Sequence, residues 1–158
     1  MAMRTRTANW FETKIRYEKT MEDGLQKKVS EKYVVNALSH TEAEERIIEE
    51  MSSYISGEFD VKGIVPASYT EIFFSDDANA DRWYKAKLQF ITIDEHTEKE
   101  KRSNAYYLVQ AATFDAAVKG IHEVMGGTMI DYVIASVAET PIMDVFECEH
   151  SDKPEVEQ

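Results

Sequence analysis

Cysteine, proline and glycine are all scarce: one Cys, three Pro and six Gly in 158 residues. A lone thiol, Cys148, excludes an intramolecular disulfide framework and a four-cysteine zinc site, and it fits a reducing compartment. So little Pro and Gly excludes collagen-like and linker-rich chains. No apolar run reaches the ~18 residues of a membrane span or the roughly 7 to 15 of a signal core, so the expected location is the cytoplasm, with no membrane attachment. Positive charge is also in deficit, with 18 Lys and Arg against 30 Asp and Glu, a net −12. The catalytic signatures are missing too: no phosphate-binding glycine loop, no HExxH, no GxSxG and no CxxC pair. The expectation is therefore a protein that is not an enzyme and uses no cofactor. What the chain does have is core material. Hydrophobic residues make up 43% and aromatics 11%, too rich for a disordered chain of this charge. At this length a compact fold removes roughly 70% of the unfolded surface from water.

The chain reads as one unit written twice. Asn9–Tyr17 sets against Arg82–Phe90 at an offset of 73, matching Trp10 to Trp83 and Lys14 to Lys87. Tyr33–Met51 sets against Tyr107–Met125 at an offset of 74, with 7 identities in 19 positions. Glu71-Ile72-Phe73 against Asp144-Val145-Phe146 returns to 73. Three blocks in one order at nearly one spacing argue for a duplicated unit of about 74 residues.

Each unit has legible periodicities. Phe11, Thr13, Ile15 and Tyr17 alternate with Trp10, Glu12, Lys14 and Arg16, the period of two of a half-buried strand. Met21-Glu22-Asp23-Gly24 supplies a turn, and Val29 to Ala37 the returning strand. Ser39 with Glu42, or Thr41 with Glu44, forms a capping box ahead of Ala43, Ile47, Ile48, Met51, Tyr54 and Ile55 at helical spacing, which predicts a helix over about 41–55. Strands follow at Phe59 to Val65 and Tyr69 to Phe74, split by Pro66. The second unit repeats the order: a strand at Trp83 to Asp94, a charged loop at Glu95 to Ser103, and a return strand at Asn104 to Ala112. Thr113 caps a helix ended by Gly126-Gly127, and strands follow at Met129 to Val137 and Ile142 to Phe146. The predicted fold class is α+β: two β-β-α-β-β units, about 8–75 and 82–147, forming antiparallel sheets with one helix each. Neither half has core enough to stand alone, so they read as a single domain over 1–158, joined at Ser75 to Asp81 and related by a pseudo-twofold. The acidic tail, 148–158, is expected to be mobile.

Candidate sites are few. His40, His96, His122 and His150 are scattered and read as surface residues. Glu147-Cys148-Glu149-His150 holds metal-binding groups, but adjacent strand residues point to opposite faces and do not converge on one ion. The acidic neighbours of Cys148 also disfavour a thiolate nucleophile. Glu42, Glu44, Glu45, Glu49 and Glu50 form a solvated helix face or an acidic surface for a basic partner. Residues 1–40 run the other way, with eight Lys or Arg and five acids. With Phe11, Ile15 and Tyr17 facing the core, Trp10, Lys14 and Arg16 face out; the same phase puts Trp83, Lys85, Lys87 and Gln89 outside. Outward Trp beside Lys and Arg is what stacks a base and neutralises its phosphate, so these residues form the candidate ligand face for a nucleotide or single-stranded nucleic acid. The same pattern also fits tryptophans that cap the core edge or fill a subunit interface.

The segments Asn9–Glu12, Glu31–Glu44, Trp83–Lys87, Asp94-Glu95 and Asp144–Phe146 together resemble a family of uncharacterised bacterial and phage-associated proteins known as a domain of unknown function. The resemblance runs from about Arg4 to Phe146. It implies a protein of one family, from a mobile element or phage, and carries no catalytic residues to transfer. Two functional classes lead: a non-enzymatic binder of an anionic ligand, and an acidic protein-interaction factor such as an inhibitor of a host enzyme. Uncovered sheet edges make a homo-oligomer an additional expectation.

Overall fold

The long hairpins come first because their turn chemistry is local. In a computed structural model of the chain, which describes residues 3–148, β2 (Trp10–Thr20) returns as β3 (Gln26–Asn36). Gly24 takes φ +83°, the left-handed conformation that the turn requires and that a residue without Cβ adopts freely. Ser39 accepts the Glu42 N–H at 3.1 Å and starts α1 (His40–Ser52). Of the two predicted caps the fold uses Ser39, and the helix stops short of Tyr54 and Ile55. An edge strand, β4 (Phe59–Pro66), and β5 (Glu71–Ser75) follow. The second hairpin pairs β6 (Arg82–Ile93) with β7 (Glu100–Ala111), so the predicted charged loop is shorter than its composition suggests. Thr113 then caps α2 (Phe114–Gly126), accepting the Ala116 N–H at 3.1 Å, and β8 (Tyr132–Glu139) and β9 (Ile142–Phe146) close the chain. The N-terminal strand β1 (Met3–Arg6) carried no periodicity to announce it.

The α+β class holds, but the sheets are mixed rather than antiparallel. One sheet runs β4-β2-β3-β9 and the other β1-β5-β7-β6-β8. Both parallel pairings, β3 with β9 and β5 with β7, arise from one feature of connectivity. β5 follows β4 in the chain yet pairs with β7, and β9 follows β8 yet pairs with β3. A parallel pair needs a long crossover, and these two strands arrive by one. The chain divides into two compact units. Among the described residues, the Trp10 unit holds Ala8–Ala67 and the segment from Pro141 to Cys148. The Trp83 unit holds Ser68–Thr140 and the chain before Ala8. These boundaries differ from the repeats expected at 8–75 and 82–147, since β5 pairs with β7 and β9 with β3. The tail beyond Cys148 lies outside the described residues.

Each unit packs its helix on one sheet face. In the Trp10 unit, Ile15, Tyr33, Ile47 and Met51 form one buried cluster, and Phe11, Val35, Ala37 and Ala43 another. In the Trp83 unit, Tyr84, Ala86 and Leu88 meet Tyr107, Val109, Ala117, Ile121 and Met125. Gly120, mid-helix in α2, packs against the Met3 side chain, whose Cε would lie 3.1 Å from a Cβ placed there. No helix is long and apolar enough to cross a membrane among the described residues.

Candidate functional site

The strand phase inferred from sequence is half right. Phe11 and Ile15 face α1 as expected, but Trp10 and Trp83, on the opposite faces of their sheets, are each only 2% exposed. This overturns the expectation that the two indoles project into solvent. The reason is that these strand ends are buried on both faces, as the unbroken runs Tyr33 to Ala37 and Tyr107 to Val109 also are. Trp83 packs edge-on against Phe74, with ring centroids 5.6 Å apart. The Trp10 Nε1 is buried without a hydrogen-bond partner among the described residues. Neither ring is available to stack on a ligand.

The cations of the predicted face do emerge, further along the same strands. Lys14 and Arg16 are exposed on the face of β2 away from α1. β3 brings Lys32 directly opposite Lys14, and Lys28 opposite Glu18. On the other side, β4 places Gly63 opposite Lys14 and Asp60 opposite Arg16, with a bulge at Lys14/Ile15 that leaves Lys62 as the extra residue. Lys62 Nζ lies 3.8 Å from Asp60. Like charges directly opposed on neighbouring strands repel, so the Lys14–Lys32 pair is a local cost that an anion would offset. Sequence reasoning missed Lys28, Lys32 and Lys62. The signal was there: Lys28, Ser30 and Lys32 alternate in the phase that shares a face with Lys14 and Arg16.

Next to these cations is a cavity of about 640 Å³. β4 ends at Phe59, opposite Tyr17, whereas β2 runs on to Thr20; the vacated edge is a notch bounded by the Ser56–Glu58 loop. Arg16, Lys28 and Lys62 line it, together with Glu18, Glu58 and Asp60. Tyr17 and Phe59, paired at its edge, pack against the cluster under α1. The Tyr17 hydroxyl is held in its neutral form, its pKa raised by burial and by the Glu31 carboxylate it donates to. Tyr33 donates to the same carboxylate at 2.9 Å, and its pKa is raised by the same two causes.

The Trp83 unit disposes of the corresponding positions differently. Lys87 is half-buried and opposite Tyr106 rather than a second lysine. Gln89 donates to Asn104 at 3.2 Å and accepts from Arg102 at 3.2 Å, so these side chains satisfy one another. Lys85 is exposed, its Nζ 5.4 Å from the Tyr106 ring centroid and 6.0 Å from that of Tyr69. The six predicted residues therefore fall into three groups: two buried indoles, the open pair Lys14 and Arg16, and the partly sheltered Lys85 and Lys87.

His40, His96 and His122 are exposed, and His122 Nδ1 sits 2.5 Å from the Tyr132 hydroxyl. No cluster of three metal-ligating side chains occurs among the described residues, and Glu149 and His150 of the candidate metal segment lie outside them. Cys148 is half-buried; its backbone N–H donates to the buried Asn36 at 2.6 Å and its carbonyl accepts from the same amide at 2.7 Å.

The fold and this surface define an α+β protein of two compact units, one of which carries an open cationic sheet face. Residues 9–148 match the model of a domain of unknown function, DUF4494, and the chain belongs to that family. No curated protein and no solved structure matches it significantly.

Proposed function

We propose that this protein is a non-enzymatic binding protein for an anionic ligand, a nucleotide or a single-stranded nucleic acid, held by lysine and arginine side chains on a strand face. The observation that carries the reading is the opposed pair Lys14 and Lys32, exposed beside Arg16, Lys28 and Lys62 in a chain of net charge −12. The buried tryptophans take no part, so binding rests on charge rather than on indole stacking. The reading places the protein in the cytoplasm, where such ligands are abundant. Fluorescence anisotropy with a labelled oligothymidylate tests it. Binding at low salt should weaken as salt rises, with a log–log slope of about −0.7 per phosphate contact, about −3.5 if all five cations take part. Lys14→Glu with Lys32→Glu should remove it. An oligonucleotide and a nucleotide that both fail to bind at low salt would end the proposal.

We infer as well that the two units descend from one duplicated module of about 74 residues. Support comes from matching details. The edge bulges fall at Lys14/Ile15 and Lys87/Leu88, an offset of 73. Asn36 grips the backbone of Cys148, and Gln110, 74 residues later, accepts from the Ser75 N–H at 2.9 Å, Ser75 standing 73 before Cys148.

A protein-interaction role is the second reading, favoured by α1. Glu44, Glu45 and Glu49 are exposed around Ile48, which is 42% exposed, so an acidic face with an apolar centre meets solvent. This suits a basic protein partner, such as a host enzyme inhibited by a mobile-element or phage protein. Glu45→Lys with Glu49→Lys should then abolish partner capture. Self-association through the edges of β4 or β8 is compatible with either reading.

A further inference from the structure

The notch at the end of β4 says more about the ligand than the open face does. We infer that it is the seat of a nucleotide, a nucleoside carrying a phosphate chain, rather than of a length of nucleic-acid strand. This rests on the reading that the cationic face of the Trp10 unit binds an anion.

Three observations support the assignment. The volume, about 640 Å³, lies within the ~300–1,000 Å³ typical of small-molecule sites, and the Ser56–Glu58 segment before β4 lines one side of it. The lining carries both signs. Arg16, Lys28 and Lys62 suit phosphate oxygens, whereas Glu18, Glu58 and Asp60 would repel a bare polyanion but accept hydrogen bonds from ribose hydroxyls and an exocyclic amine. A nucleotide is anionic at one end and a hydrogen-bond donor at the other, and this lining matches that division. Third, the edge of β2 beyond Tyr17 on the β4 side has no strand beside it, so main-chain donors and acceptors join the side chains.

The experiment compares a fluorescent nucleoside triphosphate, inorganic triphosphate and a labelled oligothymidylate on the full chain and its variants. Saturable nucleotide binding is expected, weakened about tenfold by Lys62→Glu or Lys28→Glu. Inorganic triphosphate should compete less well than the nucleoside triphosphate, and thermal melts should show these exposed-site variants folded. If the oligonucleotide binds, is lost in Lys14→Glu/Lys32→Glu, but is neither displaced by nucleotide nor weakened by Lys62→Glu, the notch assignment falls while the strand-face reading stands. Equal competition by inorganic triphosphate also overturns it, in favour of a phosphate chain alone. Binding of none of the three removes both.

Discussion

Trp10 provides the sharpest test of how this fold is held together. Its indole is 2% exposed and its N–H is buried with no acceptor among the described residues, so one side chain contributes two opposing terms. Truncation to Ala removes the packing and should cost about 3–5 kcal/mol. Against a total stability of about 5–15 kcal/mol, that is a large fraction. At roughly 2–4 °C per kcal/mol for a chain of this size, the melting temperature should fall by about 6–20 °C. Trp10→Phe is more informative. It loses the smaller ring and some buried area, worth on the order of 1–2 kcal/mol, but also removes the unsatisfied N–H, whose desolvation costs about 1–3 kcal/mol. The two terms nearly cancel, so the net change should stay within about 1 kcal/mol. Trp83→Phe is the control. Its ring meets Phe74 edge-on at 5.6 Å, an aromatic contact worth about 0.5–1.5 kcal/mol beyond burial, so it should be the more damaging of the two phenylalanine variants. Urea unfolding followed by far-ultraviolet circular dichroism, with unchanged m-values, measures all three. A Trp10→Ala loss below about 1 kcal/mol would mean an indole on the surface. Equal losses in Trp10→Phe and Trp83→Phe would mean the Trp10 N–H is satisfied after all.

Other expectations follow from single features. Burial and the Glu31 carboxylate raise the Tyr33 pKa from the ordinary 10.0, so the folded state keeps a proton that the unfolded chain releases; stability should be flat below pH 10 and decline above it, and Tyr33→Phe should flatten that decline in denaturation midpoints taken from pH 7 upward. Gly126 closes α2 with open space where a Cβ would go, so Gly126→Ala should stabilise by up to about 1 kcal/mol. The same change at Gly24, with φ +83°, should destabilise by about 1–2 kcal/mol; calorimetry of the pair separates the two signs. Ending the chain at Thr140 removes β9 and with it the parallel partner of β3 and the Tyr33–Phe146 ring stack, so amide protection in β2 and β3 should collapse. Retained protection there would mean that β9 is dispensable to its sheet.

Much of the fold was legible because its signals are local. Alternation marked both hairpins, Asp23-Gly24 marked the first turn, and Ser39 and Thr113 marked the helix starts. Pairing between distant segments carries no such mark. Nothing within Glu71–Ser75 or Ile142–Phe146 says which distant strand it will pair with, and the partners are β7 and β3. β1 was missed for a related reason: Met3-Arg4-Thr5-Arg6 is too short to show a period, and its place is set by β5 beside it.

The error over the tryptophans has a different origin and shows how the candidate site should have been read. Alternation assigns one buried face only where the other is wet, and that condition changes along each hairpin. Toward the turn, Lys14, Arg16, Lys28 and Lys32 interrupt every apolar pair, and there the period-two reading places side chains correctly. Toward the other end, Tyr33-Val34-Val35-Asn36-Ala37 and Ile72-Phe73-Phe74 run without a charge, a composition that requires cover on both faces. Trp10 and Trp83 pair in register with Asn36 and Gln110 at that dry end, whereas Lys14 and Arg16 stand four and six residues beyond Trp10 toward the wet end. The hairpin is thus one structure with two uses: its base is core and its tip is surface. Grouping Trp with Lys and Arg as one site ignored that division; restoring it moves the recognition chemistry outward to the lysine pair and the notch beyond Phe59, where the sheet loses a strand and the backbone has room for a ligand.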